Sequence, residues 1–242
     1  ISYNILYKMK KKLNQKLINL IEYYNLTNIN LLLSENSLAR NLGESGLSSN
    51  KTKIEKLKKL KSKIENIKNC DLKNSASNIV FGDGNIDSKI MFIGEGPGAQ
   101  EDAEGLPFVG RAGKLLDKML ESIKLNRSKV YISNVVNYRP PLNRRPTEIE
   151  IKRYLPFLKE HIEIINPKIL VLLGSTALNT LIGSEVVISK ARGKWLQKKI
   201  GLAYPWIIAS FHPAFLMRQP DQKKLAWIDL KMIREKSQNL KT

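Results

Sequence analysis

Cysteine is almost missing from this chain: its 242 residues include one, Cys70. No intramolecular disulfide can form, and a reducing, cytoplasmic setting fits. Long apolar runs are missing too. Nothing reaches the roughly 18 consecutive apolar residues of a membrane-spanning helix, so no span is expected. Lys8 to Lys16 is basic, but no apolar core and cleavage site follow it, so a signal peptide is not expected either. The first residue is Ile1, and Met9 is a candidate start that would leave the first eight residues as a reading-frame artefact. The phosphate loop G-x-x-x-x-G-K-[ST] and the full dinucleotide fingerprint are both absent, which counts against an ordinary nucleotide-binding α/β protein. Acidic residues are scarce: 22 Asp and Glu face 41 Lys and Arg, a formal charge of +19. Such an excess attracts polyanions, nucleic acid first. A basic proteome, or an AT-rich genome that inflates Lys, Ile and Asn, would give the same excess.

What is present is a hydrophobic fraction of 42%, enough for a sizeable core. Residues 1–75 carry +9 of the charge and form the denser part. Leu13 to Tyr24 has helical spacing, Ser34 to Asn50 reads as a Ser-, Asn- and Gly-rich linker, and Lys51 to Lys68 is a second helical pattern. In that pattern Ile54, Leu57, Leu60, Ile64 and Ile67 form one stripe among lysines. The lysines read as a solvated face, with DNA contact as the alternative. From Asn78 the pattern alternates. Lys89–Ile93, Val130–Val136, Lys168–Leu173 and Trp206–Phe211 read as strands. Gly113–Leu125, Thr147–Ile165, a segment opening at Gly174, and Trp227–Lys236 read as helices. Thr147 and Glu150 suit a capping box. The expected fold is therefore a three-layer α/β/α sandwich with a central, mostly parallel four-stranded sheet. A helical N-terminal extension over residues 1–75 precedes the main domain over residues 76–242.

Ligands of such sheets bind beyond the carboxyl ends of the strands. Three of the predicted strand ends carry polar or glycine-rich features. Gly94-Glu95-Gly96-Pro97-Gly98 follows the first, either as a plain strand-to-helix turn or as backbone that lets a ligand approach, with Glu95 at its start. Phe108, between Pro107 and Val109, fills a core or stacks on a flat base. Asn134 lies in an apolar strand, where its amide must satisfy a donor and an acceptor. Arg139-Pro140-Pro141-Leu142-Asn143-Arg144-Arg145-Pro146 reads as a rigid basic loop suited to phosphates, or as a solvated surface loop. His212, one of two histidines, precedes Pro213 and the cluster Phe215-Leu216-Met217-Arg218, which could wedge into a base stack.

Together, Gly94–Asp102, Leu106–Gly110, Ser133–Pro141 and His212–Arg218 resemble the uracil-DNA glycosylase superfamily. The likeness is to its family 4 type and runs from about Cys70 to Leu230. The resemblance implies a DNA-repair hydrolase that cuts the N-glycosidic bond of uracil and leaves an abasic site. It implies roles as well. Glu95 positions or polarises the attacking water, Phe108 stacks on the flipped base, and Asn134 reads the O4 and N3–H edge. His212 hydrogen-bonds O2, and Gly96 and Gly98 lie against the base and sugar-phosphate. Leu216 and its neighbours plug the gap in the duplex, and Arg139 and Arg218 serve DNA binding. The expected partner is DNA containing uracil, met by a monomer without a membrane.

Family 4 usually carries an iron–sulfur cluster on four cysteines. Here Cys70 matches one of the four positions, while Ile67, Tyr138 and Tyr154 stand at the others. The expectation is accordingly no cofactor and no iron–sulfur cluster. Alternatives to the main reading are a DNA-binding relative that has lost catalysis and a glycosylase for hypoxanthine or xanthine.

Overall fold

The computed structural model describes residues 44–240, with side chains from Thr52 onward. Of the described residues, those from Asn50 onward form one compact unit. The pattern read over Leu13 to Tyr24 lies outside the described residues, as does the linker reading up to residue 43. From Glu44 that stretch is helical, forming the start of α1 (Glu44–Glu65).

Six strands form one sheet: β1 Asp83–Gly84, β2 Ile90–Gly94, β3 Tyr131–Asn134, β4 Ile169–Leu173, β5 Trp195–Gln197 and β6 Trp206–Ser210, in the order β1-β3-β2-β4-β6-β5. The four central strands run parallel, in register at Met91↔Tyr131, Met91↔Leu170 and Leu170↔Ile207. They are the four strands read from the sequence. The two edge strands pair antiparallel. At two and three residues they are too short to show a period.

Strands β2 and β4 are buried at every position, as expected of central parallel strands covered on both faces. Alternate residues feed two separate cores. Met91, Ile93, Leu170 and Leu172 pack on one side with α1 and with α5 (Glu148–Ile165). Phe92, Ile132, Val171 and Ile208 pack on the other with α4 (Arg111–Ser122) and α9 (Lys223–Asn239). The remaining helices are α2 (Asp71–Ser75), α3 (Ala99–Glu104), α6 (Ser175–Leu181), α7 (Ile188–Ala191) and α8 (Pro213–Arg218). Helices on both faces complete the three layers.

Helix α5 begins with the capping box that Thr147 and Glu150 suggested. The Glu150 N–H donates to Thr147 Oγ1, and the Thr147 N–H donates to Glu150 Oε2 at 2.7 Å. In α1, Leu57, Leu60 and Ile64 are buried in the core, and Lys53 donates to the carbonyls of Ile86 and Ile165. The compact unit thus takes in residues 50–75, which the sequence reading assigned to an extension. Among the described residues no helix is long and apolar enough to cross a membrane.

Candidate active site

Strand β2 has β3 on one side and β4 on the other, so the chain leaves β2 at the point where strand order reverses. A crevice opens there in sheets of this kind. The crevice is a cleft of about 180 Å³, lined by Glu95, Gly96, Gly98, Phe108, Asn134 and His212, with Glu101, Asn143 and Arg144 among its other walls. That is well under the roughly 300–1,000 Å³ of pockets for drug-sized ligands, and suits one small ring.

The end of β2 has to be glycine. A Cβ on Gly94 would lie 2.4 Å from Asn134 Oδ1 and 2.5 Å from Phe108 Cζ, so any side chain would push both out of place. The loop that follows is tied down by Glu101. Its carboxylate accepts the N–H groups of Gly98, Val109 and Gly110 at 3.1, 3.0 and 2.8 Å, joining the glycine loop to the segment that carries Phe108.

Phe108 is held in an unusual backbone conformation, φ 55°. Two features hold it there. The Arg127 guanidinium donates to the Pro107 carbonyl at 3.0 Å and to the Phe108 carbonyl, while pairing with Asp83 and Asp117. Gly113 lets α4 pass against the same carbonyl, where a Cβ would come within 1.7 Å of Phe108 O. The ring sits 5.6 Å from that of His212 at an interplanar angle of 31°.

Asn134, at the end of β3, is 3% exposed, and its Oδ1 is buried with no hydrogen-bond partner among the described residues. Such an atom costs free energy unless something else meets it. His212 caps α8: its Nδ1 accepts the Ala214 N–H at 3.2 Å. Because that nitrogen must keep its lone pair, the proton of the neutral ring sits on Nε2. Burial pushes the His212 pKa down to about 4, helped by the Arg218 charge and opposed by Glu101. The ring is therefore neutral at pH 7. Glu95 is fixed at one oxygen: the Thr176 hydroxyl, from the first turn of α6, donates to Oε2.

The structure therefore gathers Glu95, Gly96, Gly98, Phe108, Asn134 and His212 in one cleft. Three expected site residues lie elsewhere. Leu216 is 1% exposed and packs in the core beneath α8, because Pro213 starts a helix whose inner face Leu216 occupies. A side chain so placed is not available to fill a gap in a duplex. Arg218 is exposed at the end of α8, outside the cleft lining. Arg139 is not part of the cleft lining, and its Nε donates to Asn143 Oδ1 at 2.8 Å. Glu101, Arg127 and Thr176 were missed. Glu101 had a sequence signal, lying within the glycine-loop motif; the other two had none.

Comparison with known proteins gives the family of the chain. Residues 81–231 match the family model described as the uracil DNA glycosylase superfamily. The type-4 uracil-DNA glycosylase of Thermotoga maritima is 43% identical over 171 residues, 69% of this chain and 86% of that protein. The type-4 uracil-DNA glycosylase of Sulfurisphaera tokodaii is 40% identical over 190 residues, 75% of this chain and 85% of that protein. A DNA polymerase of Bacillus phage SP01 is 30% identical over 153 residues, which make up 16% of its length.

These relatives correct the expectation of a chain without a cofactor, because type-4 uracil-DNA glycosylases are iron–sulfur proteins and the kinship implies a cluster. The residues at the matching positions do not fit a four-thiolate site. Cys70 is the single thiol of the chain, and its Sγ lies 3.3 Å from the Tyr154 hydroxyl, in a hydrogen bond. Tyr138 and Tyr154 are buried in the same core, with Ile67 packed against it. Among the described residues no three His, Cys, Asp or Glu side chains are grouped to hold a metal.

Proposed function

Since the chain belongs to the uracil DNA glycosylase superfamily, we propose that it hydrolyses the N-glycosidic bond of uracil in DNA and leaves an abasic site for base-excision repair. The observation that carries this reading is the unpaired Oδ1 of Asn134, buried beside Phe108 and His212. Uracil brings an N3–H donor to that oxygen and an O4 acceptor to the amide nitrogen. Cytosine brings an acceptor and a donor in the reverse places. Leaving such buried groups unmatched costs about 1–3 kcal/mol each, which disfavours the normal base as long as the amide keeps this orientation.

The chemistry follows from the same parts. Water adds to C1′ as the C1′–N1 bond breaks, and the bonding pair departs with uracil, spread over N1 and O2. The His212 Nε2–H donates to O2 as that charge grows, which is worth most when the donor is already in place. Glu95, anchored by Thr176, keeps a carboxylate oxygen for the attacking water, takes its spare proton and stabilises the positive sugar. Phe108 gives the flipped base a face to stack on. Arg145 and Arg139 meet phosphates, as does Arg218. We read it as a monomer that acts in the cytoplasm.

The test uses oligonucleotides carrying uracil, hypoxanthine, xanthine or normal bases, incubated with the protein and then treated with alkali. Breaks confined to uracil support the reading, breaks at hypoxanthine or xanthine redirect it, and no breaks on any strand reject it.

A further inference from the structure

With Leu216 in the core, the leucine expected to fill the space left by a flipped nucleotide is not available, and of its neighbours Phe215 and Met217 are only partly exposed. Another leucine is placed for the task. Leu142 is 94% exposed, the most exposed large apolar side chain among the described residues. Its backbone lies in the left-handed region, φ 55° and ψ 22°, and Asn143 follows at φ 56°. A leucine pays for that conformation and here gains no burial in return. Strain held in place by its surroundings is a mark of functional segments.

The surroundings hold it firmly. Pro140 and Pro141 precede it and Pro146 closes the loop. The Asn143 and Arg144 N–H groups donate to the carbonyls of Pro140 and Pro141, each at 3.1 Å. Arg139 grips Asn143 Oδ1, and the Arg144 guanidinium meets both oxygens of Glu150 at 2.8 and 2.6 Å, tying the loop to the capped end of α5. The loop also forms the cleft wall: Pro140, Asn143, Arg144 and Pro146 line the base pocket, so Leu142 stands on its rim. Arg139 and Arg145 flank it with positive charge suited to the phosphates on either side of a target nucleotide.

We propose that Leu142 is the wedge that enters the duplex beside the flipped uracil and fills the space it vacates. The inference rests on the uracil-glycosylase reading of the cleft. Apolar side chains serve this purpose between base steps, and unstacking is the cost they offset. A side chain already held outward by a rigid loop loses little conformational freedom on entering.

The experiment measures excision by wild type, Leu142→Ala, Leu142→Gly and Met217→Ala on uracil in single strands, in U:G pairs and in U:A pairs. The duplex-to-single-strand rate ratio is expected to fall at least tenfold on U:A for both Leu142 variants, and less on the weaker U:G pair. Thermal unfolding of Leu142→Gly is expected at or above the wild-type temperature, because glycine adopts the loop conformation without strain. A 2-aminopurine next to a non-cleavable 2′-fluoro-deoxyuridine should brighten with wild type and stay dim with the Leu142 variants. An unchanged ratio in both Leu142 variants overturns the proposal, as does a duplex-selective loss in Met217→Ala alone. Wild-type activity on single strands with no change of ratio removes the wedge and leaves the glycosylase standing. Absence of excision from every wild-type substrate removes both.

Discussion

The chain has two histidines, and physical chemistry treats them alike up to a point. His161, on α5, is 2% exposed, stacked on Phe81 at 4.3 Å, and its Nε2 lies 3.0 Å from the Tyr131 hydroxyl in a hydrogen bond. Burial pushes its pKa down to about 3. His212 is pushed down to about 4 for the same leading reason. Both rings are neutral at pH 7, so the pKa does not separate the structural one from the functional one, although His161 is fully buried and His212 is partly exposed. What separates them is where their polar atoms point. His161 is satisfied inside the core. His212 spends Nδ1 on the Ala214 N–H and lines a cleft with the rest of its ring. The asparagines of β3 and the loop after it repeat the lesson. Asn137 is 4% exposed and donates to the Val80 carbonyl at 3.1 Å, whereas Asn134 is 3% exposed with its oxygen unpaired. A buried polar group left open is the sign of a site.

The largest expected effect tests that difference directly. His212→Ala should slow single-turnover excision about 10²–10³-fold, the usual cost of losing one donor to a developing anion. His161→Ala should instead destabilise the fold by about 2–4 kcal/mol, the range for emptying a well-packed core site. Excision per folded molecule should then stay within a few-fold of wild type. Urea unfolding alongside active-site titration separates the two outcomes. Loss of excision in well-folded His161→Ala would break the comparison.

The sequence showed the open site better than the closed supports around it. Glu95, Phe108, Asn134 and His212 were readable because each interrupts an apolar or glycine-rich pattern at a strand end. The four parallel strands were readable as near-continuous apolar runs. Leu216 was misread because a six-residue helix beginning at Pro213 has too few turns to show an inner face. Phe108's left-handed backbone could not be foreseen, since it depends on Arg127, which lies 19 residues away and answers to two aspartates. Residues 50–75 looked like a tail because their lysines dominate the composition, although one stripe of the helix belongs to the core.

The next effect is on stability against pH. In both histidines the folded pKa lies below the 6.5 of a free imidazole. As pH falls below 6.5 the unfolded chain binds protons that the folded chain refuses, so acid favours unfolding. The contribution is fully present above that pH and is lost progressively down to about 4 for His212 and about 3 for His161. Within the window each histidine adds a slope of about 1.4 kcal/mol per pH unit. Urea unfolding at pH 7, 6 and 5 should show the decline, and His161→Ala should remove about half of the histidine slope. Excision should show no loss assignable to His212 between pH 8 and 5, then fall as pH nears 4. A fall centred near 6.5 would mean that His212 is not sheltered from water as the structure has it.

The smallest effect asks whether the contrast between open and closed atoms extends to Glu95. One of its oxygens is closed by the Thr176 hydroxyl, on a helix 81 residues further along the chain. The other accepts no hydrogen bond among the described residues and remains for water. Thr176 is itself placed by α6, whose Thr180 hydroxyl donates to the Thr176 carbonyl at 2.7 Å. Thr176→Val keeps the shape and removes the hydroxyl, leaving Glu95 free to turn. A hydrogen bond to a charged group is worth about 1.5–3 kcal/mol, the upper part of which applies only if the carboxylate finds no other donor. Water can reach this part-buried site, so a loss of about tenfold in kcat is expected, near the lower bound. KM should hardly move, because Glu95 meets water and the forming sugar cation rather than the uracil edge. Thr176→Ser should restore the rate, since it returns the donor. If the valine variant keeps full kcat, or if KM rises in step with the loss, Thr176 only packs the helix against the sheet and the orientation of Glu95 is set elsewhere.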